Sequence, residues 1–497
     1  MAKINFQNIL KRIEKVGNAL PHPAYLFLIF TIVVVLISAL VSSLGIEAQH
    51  PITKETIKSF NLFSSEGLRS FLNDSVKNFS GFAPLGTVLV AMLGFGIAEK
   101  SGLLSTLLRL IVLKSPRKLL VPAILFAGIL SHTAGDVGYV LLIPLAALAF
   151  HSAGLNPLAG LAICFAGVSG GFAANFLLST ADPLLSGISQ EAARIIDPQY
   201  TVSPLSNWYF MSASSILIVV VGTFVANKIT IPFLGEYKGA TERKGLEGIS
   251  DSEKKGLLWA GLTLLGLILF LLLGLLPEQG YLKDPANPSL LQSSALKGAV
   301  TLIFFFGALP GLAYGFASNT FTTGSHVIEA MQDSMKTMAP YLVLVFFASQ
   351  FISLFNSSGI GLISAVKGSE VLKEWGLHPI ILMLCFILLT VILDLFIGSA
   401  SAKWTLMAPI FVPMFMLQGL NPELTQASYR IADSVVNIIS PLMSYFPLIL
   451  AYANRYDPQA RVGTIIALMI PYSAFFLVSW SILLFVWMSF GWPFGLS

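Results

Sequence analysis

The chain has 497 residues, of which 55% are hydrophobic and only 11% charged, and its mean hydropathy is +0.80. A soluble domain of that size could not hide so much apolar surface, and the Leu, Ile, Phe and Val runs are long enough to cross a hydrocarbon core of roughly 30 Å. The net charge of +4 comes from basic residues scattered between those runs, which marks membrane topology and argues against a nucleic-acid partner.

Residues 1–80 comprise a basic amphipathic stretch (Lys3, Lys11, Arg12, Lys15), a first span at 23–44 and a periplasmic loop. No small-residue cleavage site follows the first apolar run, so no removable signal peptide is expected. Residues 81–235 hold spans at 83–98 and 209–231, with an apolar stretch at 118–152 and a span at 157–190 between them. The stretch at 118–152 is too long for one helix, and the polar group Ser131-His132-Thr133-Ala134-Gly135-Asp136 interrupts it. It is expected to form a re-entrant hairpin, which is tolerable at membrane depth only where protein or water satisfies the backbone. The span at 157–190 contains Gly167-Val168-Ser169-Gly170-Gly171 and Ser179-Thr180-Ala181-Asp182-Pro183, so it is expected to be a broken helix.

Residues 236–335 form a central region with spans at 257–276 and 297–317. Residues 336–497 carry spans at 340–365 and 462–488, a second hairpin at 378–418 and a second broken helix at 427–453. The second hairpin is interrupted by Gly398-Ser399-Ala400-Ser401-Ala402-Lys403-Trp404. The fold class expected is therefore an all-α polytopic membrane protein with about nine transmembrane helices and two re-entrant hairpins. Both cysteines, Cys164 and Cys385, lie in apolar runs and read as free thiols. The histidines show no metal-site spacing.

Basic clusters orient the chain. The N-terminus, the group Arg109, Lys114, Arg117 and Lys118, the 232–256 loop, and the turn with Arg455 and Arg461 are all expected on the cytoplasmic side. The first hairpin then enters from the cytoplasm and the second from the periplasm. Pro144 to Pro157 also aligns with Pro409 to Pro422, sharing both terminal prolines, Phe150/Phe415 and the whole Gly-Leu-Asn-Pro group. Ala83-Pro84 and Ser101-Gly102 echo Ala339-Pro340 and Ser358-Gly359. Opposite entry sides with matched sequence indicate an inverted-topology repeat, the usual basis of alternating access about a midplane site.

Asp182 falls at a helix break, where exposed amides or carbonyls bind ions, although an interfacial capping role fits it too. Arg430, Asp433 and Asn437 are spaced to share one helix face. A charged Arg in lipid costs at least about 2.5 kcal/mol, so Arg430 should face a polar interior and pair there; Asp433 is the expected partner, as substrate site or as scaffold. Ser401 and Trp404 offer a hydroxyl beside an aromatic face for a substrate ring, and an interfacial anchor is the other reading of the Trp. Asp136 and Asp394 are further buried-acid candidates. The ion-coupling candidates are Asp182, Asp433, Asp136 and Asn437. No cofactor is expected; the coupling ion is Na⁺ at hard-oxygen sites near the tips and breaks, or H⁺ on a buried carboxylate.

Three segments, residues 179–187, Gly398 through Pro409, and Asn421-Pro422 through Pro441, resemble the p-aminobenzoyl-glutamate transporter (AbgT) family, and the likeness extends over nearly the whole chain. The resemblance implies a bowl-shaped homodimer in the bacterial inner membrane, surrounded by lipid. It implies substrate contacts from Asp182, Ser401, Trp404, Pro422, Arg430, Asp433 and Pro441. It also implies uptake of p-aminobenzoyl-glutamate or export of sulfonamide antimetabolites, ligands that carry an aminobenzoyl-like ring.

Three rivals remain: a Na⁺-coupled dicarboxylate carrier of the same wider fold, a channel, and an intramembrane serine protease. The protease reading rests on Gly167-Val168-Ser169-Gly170 and needs a histidine base; downstream of it only His326 and His378 are available. A non-enzyme is expected. The chain has no phosphate-binding Gly-x-x-x-x-Gly-Lys-Ser/Thr loop.

Overall fold

The computed structural model describes residues 23–49, 56–134, 138–237, 248–277, 279–284, 293–443 and 445–496. Helix α1 (Pro23–Ser43) is followed by one antiparallel pair of strands, β1 (Glu47–Gln49) and β2 (Thr56–Lys58), a small exception to the all-helical expectation. Then come α2 (Ser65–Ser80), α3 (Ala83–Lys100) and α4 (Leu103–Leu113). The first expected hairpin is α5 (Leu120–Leu130), a 3₁₀ turn at Ser131–Ala134, a π turn at Gly138–Leu142 and α6 (Ile143–Ser152).

The broken span that follows is α7 (Pro157–Phe165), a π turn at Ala166–Gly170, a non-helical stretch, and α8 (Ala181–Ala193). Next are α9 (Trp208–Val225), α10 (Asp251–Leu275), α11 (Ala299–Ala317) and α12 (Gly324–Thr337). The second half contains α13 (Ala339–Ser357), α14 (Ile360–Trp375), α15 (Pro379–Asp394), α16 (Ala400–Met416), α17 (Pro422–Asn437), α18 (Phe446–Asn454) and α19 (Val462–Phe490).

Among the described residues, seven helices are long and apolar enough to cross a membrane. They correspond to seven of the expected spans, and the other two expected spans are the broken ones. One boundary is corrected: the span expected at 340–365 ends at Ser357, because the chain turns between α13 and α14 at Gly359, with φ of 74°. Hydropathy does not register this turn, since apolar residues continue on both sides of it. The same local structure joins α3 to α4, where Gly102 has φ of 87°. In both places the preceding serine hydroxyl accepts from a backbone amide, Leu103 N–H to Ser101 and Ile360 N–H to Ser358, each at 3.2 Å.

The Gly-Leu-Asn-Pro groups also fold alike. Gly154 and Gly419 have φ of 76° and 79°. The Leu155 amide donates to the Phe150 carbonyl at 2.8 Å, and the Leu420 amide to the Phe415 carbonyl at 3.0 Å. Asn156 and Asn421 then sit at the N-caps of α7 and α17, each followed by proline in the first turn, where a missing N–H costs nothing.

The main core gathers α5 to α9 with α15 to α19, and both α7 and α17 are buried along their length. Helix α5 crosses the π turn of the first break through glycines: a Cβ added at Gly128 would lie 2.8 Å from Gly167 backbone carbon. Small residues are what allow two backbones to approach so closely where lipid offers no hydrophobic drive.

Candidate functional site

The break after α7 is lined by glycine, which leaves its backbone without an intrahelical ladder. The polar groups nearby satisfy one another. Asp182, in the first turn of α8, accepts from the Ser179 amide at 2.6 Å and the Ser179 hydroxyl at 2.9 Å, and Asn175 Nδ2 donates to the same oxygen. Its other oxygen lies 2.8 Å from Arg430 Nη1, and both side chains are almost completely buried. Arg430 Nη2 donates to the Ala173 carbonyl and to Asn175 Oδ1, both at 3.1 Å. The Ala173 amide donates to the Ser434 hydroxyl at 3.0 Å. The first break is thus docked onto α17.

Arg430 therefore does not pair with Asp433, and the expectation of that pair is corrected. The two share a helix, but Arg430 meets the break of the first half while Asp433 meets α16. Asp433 Oδ1 lies 2.8 Å from Lys403 Nζ and 3.3 Å from the Tyr429 hydroxyl, which donates at closer range, 2.5 Å, to the Ala400 carbonyl. Asn437 Nδ2 donates to its other oxygen at 3.2 Å, so the expected Asp433–Asn437 adjacency is present. Lys403 also contacts Asp394, the last residue of α15. Each of these five charged residues is at most 3% exposed.

A second correction concerns Ser401, Lys403 and Trp404. The interruption expected at Gly398 to Trp404 lies earlier, because the chain is non-helical only over 395–399 and all three residues lie in the first turns of α16. Ser399 caps that helix, accepting from the Ala402 amide at 3.4 Å. Trp404 is fully buried, with its ring stacked on Tyr429 at a centroid distance of 4.6 Å. Its Nε1 donates to Ser189 Oγ at 3.0 Å and to the Leu185 carbonyl at 3.2 Å, and Ser189 donates onward to Gln426 at 2.6 Å. Tyr429 covers one face of the indole.

Pro422 starts α17 and Pro441 lies in the non-helical stretch after it. Asp136 lies outside the described residues. Ser169 is buried in the π turn at Ala166–Gly170, and its hydroxyl has no hydrogen-bond partner among the described residues, histidine included. No group of three or more His, Cys, Asp or Glu side chains suited to a metal occurs among those residues.

Sequence reasoning did not single out Tyr429, Ser189 or Gln426 as part of this network. The available signal was the composition of α17, whose polar residues continue around a helix that is buried throughout. The energetic stakes are large: removing one partner of a buried ion pair costs about 3–5 kcal/mol because the other charge is left uncompensated. Arg430 Nε, buried and without a hydrogen-bond partner among the described residues, is a donor still available at the centre of the network.

A family model described as the AbgT putative transporter family matches residues 8–497. The p-aminobenzoyl-glutamate transport protein of Escherichia coli (strain K12) is 40% identical over 483 residues, spanning 97% of this chain and 95% of the relative. The crystal structure of the Alcanivorax borkumensis YdaH transporter, described as having an unusual topology, is 45% identical with a TM-score of 0.91, covering 96% of this chain and 100% of that one. The structure of Neisseria gonorrhoeae MtrF, described as illuminating a class of antimetabolite efflux pumps, is 48% identical with a TM-score of 0.92, covering 96% and 97%.

Proposed function

The chain belongs to the AbgT putative transporter family, and from that membership we propose that this multi-pass membrane protein moves p-aminobenzoyl-glutamate-like folate fragments, sulfonamide antimetabolites or both across the bacterial inner membrane, driven by an ion gradient. The observation that carries this reading is the buried Asp182–Arg430 pair, which joins the break of the first half to α17 of the second. A substrate carboxylate has a natural partner in the guanidinium, where Nε is still free to donate. An aminobenzoyl ring has the Trp404–Tyr429 stack beside the same helix.

The two helix–break–helix units are re-entrant hairpins, and the halves are related as an inverted repeat. Matched turns at Gly102 and Gly359, and at Gly154 and Gly419, support the repeat. The basic residues of the loops support the inversion. Ser152 and Asn421, both exposed and at matched hairpin ends, test it directly. In a background without Cys164 and Cys385, a membrane-impermeant thiol reagent should label Ser152→Cys from the cytoplasmic side and Asn421→Cys from the periplasmic side. Labelling of both from one side rules out the inversion. The protein works as a homodimer, a reading checked by cross-linking in the native membrane.

The deciding experiment is flux of labelled p-aminobenzoyl-glutamate and a sulfonamide in proteoliposomes, with Na⁺ and pH gradients imposed separately. Saturable accumulation against a concentration gradient is expected. Conductance without accumulation would make the protein a channel, and accumulation of simple dicarboxylates alone would make it a dicarboxylate carrier.

A further inference from the structure

The buried network does not balance. Three carboxylates, Asp182, Asp394 and Asp433, face two cations, Arg430 and Lys403, leaving one negative charge in excess. An ionised carboxylate without a full counter-charge is unfavourable at membrane depth, and uptake of one proton removes the excess.

The donors around each acid decide where that proton sits. Asp182 is held by Arg430, Asn175, the Ser179 amide and the Ser179 hydroxyl. Asp433 has Lys403 and Asn437, while the single Tyr429 hydroxyl proton goes to the closer Ala400 carbonyl. Among the described residues Asp394 has contact with Lys403 alone, and neither of its carboxylate oxygens, both buried, has a hydrogen-bond partner. Donors to a carboxylate favour its charged form, so the acid with the fewest is the one that binds the proton.

No competing cation lies nearby on the packed elements. Lys403 is the only charged residue of α16, and the 395–399 stretch has none. The titratable groups of α17 are Glu423, Tyr429, Arg430 and Asp433; Glu423 contacts Tyr200 at the start of that helix. Helix α19 contributes only Tyr472, which accepts from Thr230.

We propose that Asp394 is the carboxyl that carries the coupling proton, and that Lys403 is a tethered cation shared between Asp394 and Asp433 according to that proton's presence. The inference rests on the ion-driven transport reading and names the ion and its residue. A proton arriving from water adds to a lone pair of Asp394 Oδ2, forming one O–H bond and breaking none in the protein. Its departure to the other side restores the carboxylate. Asp394 ends α15 and Lys403 lies in the first turn of α16, so the ionised pair ties the two ends of the hairpin break together. Protonation leaves Lys403 to Asp433 and unties that break.

Difference infrared spectroscopy across a pH step tests the assignment without any substrate. The parent should show the carbonyl stretch of one protonated buried carboxyl near neutral pH. Asp394→Glu, which keeps the charge count, should keep the band but shift its frequency, and Asp433→Glu should leave the frequency as in the parent, which serves as the deciding variant if Asp394→Glu does not fold. In proteoliposomes a pH difference of one unit, coupled to one proton, should sustain about tenfold accumulation in the parent, and Asp394→Asn should sustain none. A parent without the band, a band whose frequency does not move in Asp394→Glu, or one that shifts in Asp433→Glu overturns the proposal. If the parent moves no aminobenzoyl compound, the transport reading falls, while the band still decides whether Asp394 holds the proton.

Discussion

Helices α7 and α17 occupy matched places after matched turns, yet they are chemically opposite. Helix α7 reads Pro-Leu-Ala-Gly-Leu-Ala-Ile-Cys-Phe, wholly apolar, whereas α17 is equally buried and carries Glu423, Arg430 and Asp433. The first half supplies a broken backbone and a single acid, Asp182. The second half supplies both cations and the other two acids of the network. One local architecture therefore serves two purposes: a polar socket made of main chain and amide groups, and a charged insert that docks into it.

The largest expected effect is at the joint. Arg430→Ala leaves Asp182 buried without its cation and should destabilise the protein by about 3–5 kcal/mol, seen as a fall in unfolding temperature in detergent. Replacing both partners, with Arg430→Met and Asp182→Leu, should recover most of that stability, since apolar substitution of a whole buried pair is often tolerated, while gradient-driven flux stays absent. Normal flux in the double variant would make the joint scaffold only. Trp404→Ala should cost about 3 kcal/mol through the cavity and the lost stack on Tyr429, with Trp404→Phe recovering part of it. A Trp404→Ala protein as stable as the parent would show that the indole does not seal α16 against α8.

On the apolar side of the comparison, Leu161→Ala in α7 should cost about 2–3 kcal/mol and leave substrate preference as in the parent, because no charged group is near it on that helix. A changed ratio of p-aminobenzoyl-glutamate to sulfonamide flux would break the division between socket and insert. The smallest effect is at the matched turns. Gly102→Ala and Gly359→Ala each force an L-residue into left-handed backbone and should cost about 1 kcal/mol. Gly359 should cost more, because its added Cβ would lie 3.1 Å from the Lys58 carbonyl oxygen, whereas at Gly102 the nearest atom is 3.6 Å away. Equal melting temperatures for the two variants would remove that distinction.

Much of this architecture was legible from residue order. Hydropathy located the spans, Gly-Leu-Asn-Pro located two identical turns, and Asp-Pro with clustered glycines located the first break. The partners of Arg430 and Asp433 were not legible. Spacing of three along a helix places two side chains on one side, but the groups opposing them come from elements distant in the chain. Local sequence marks Asp182 at a helix break and Lys403 within a polar interruption, but only packing aims Lys403 at Asp433 and Asp182 at Arg430. The division of 340–365 escaped notice for a different reason, since a left-handed glycine leaves no mark on hydropathy.

The Asn175–Arg430 contact spans 255 residues of chain. A ribosome adding 5–20 residues per second needs roughly 10–50 s to cover that distance. Throughout that interval the nascent first half holds Asp182 with no guanidinium to meet it. The socket has to stay hydrated, or be shielded by the insertion machinery, until α17 is made. Docking of the charged insert is thus a late step in biogenesis, and the order of synthesis becomes part of how this membrane protein avoids burying an uncompensated charge.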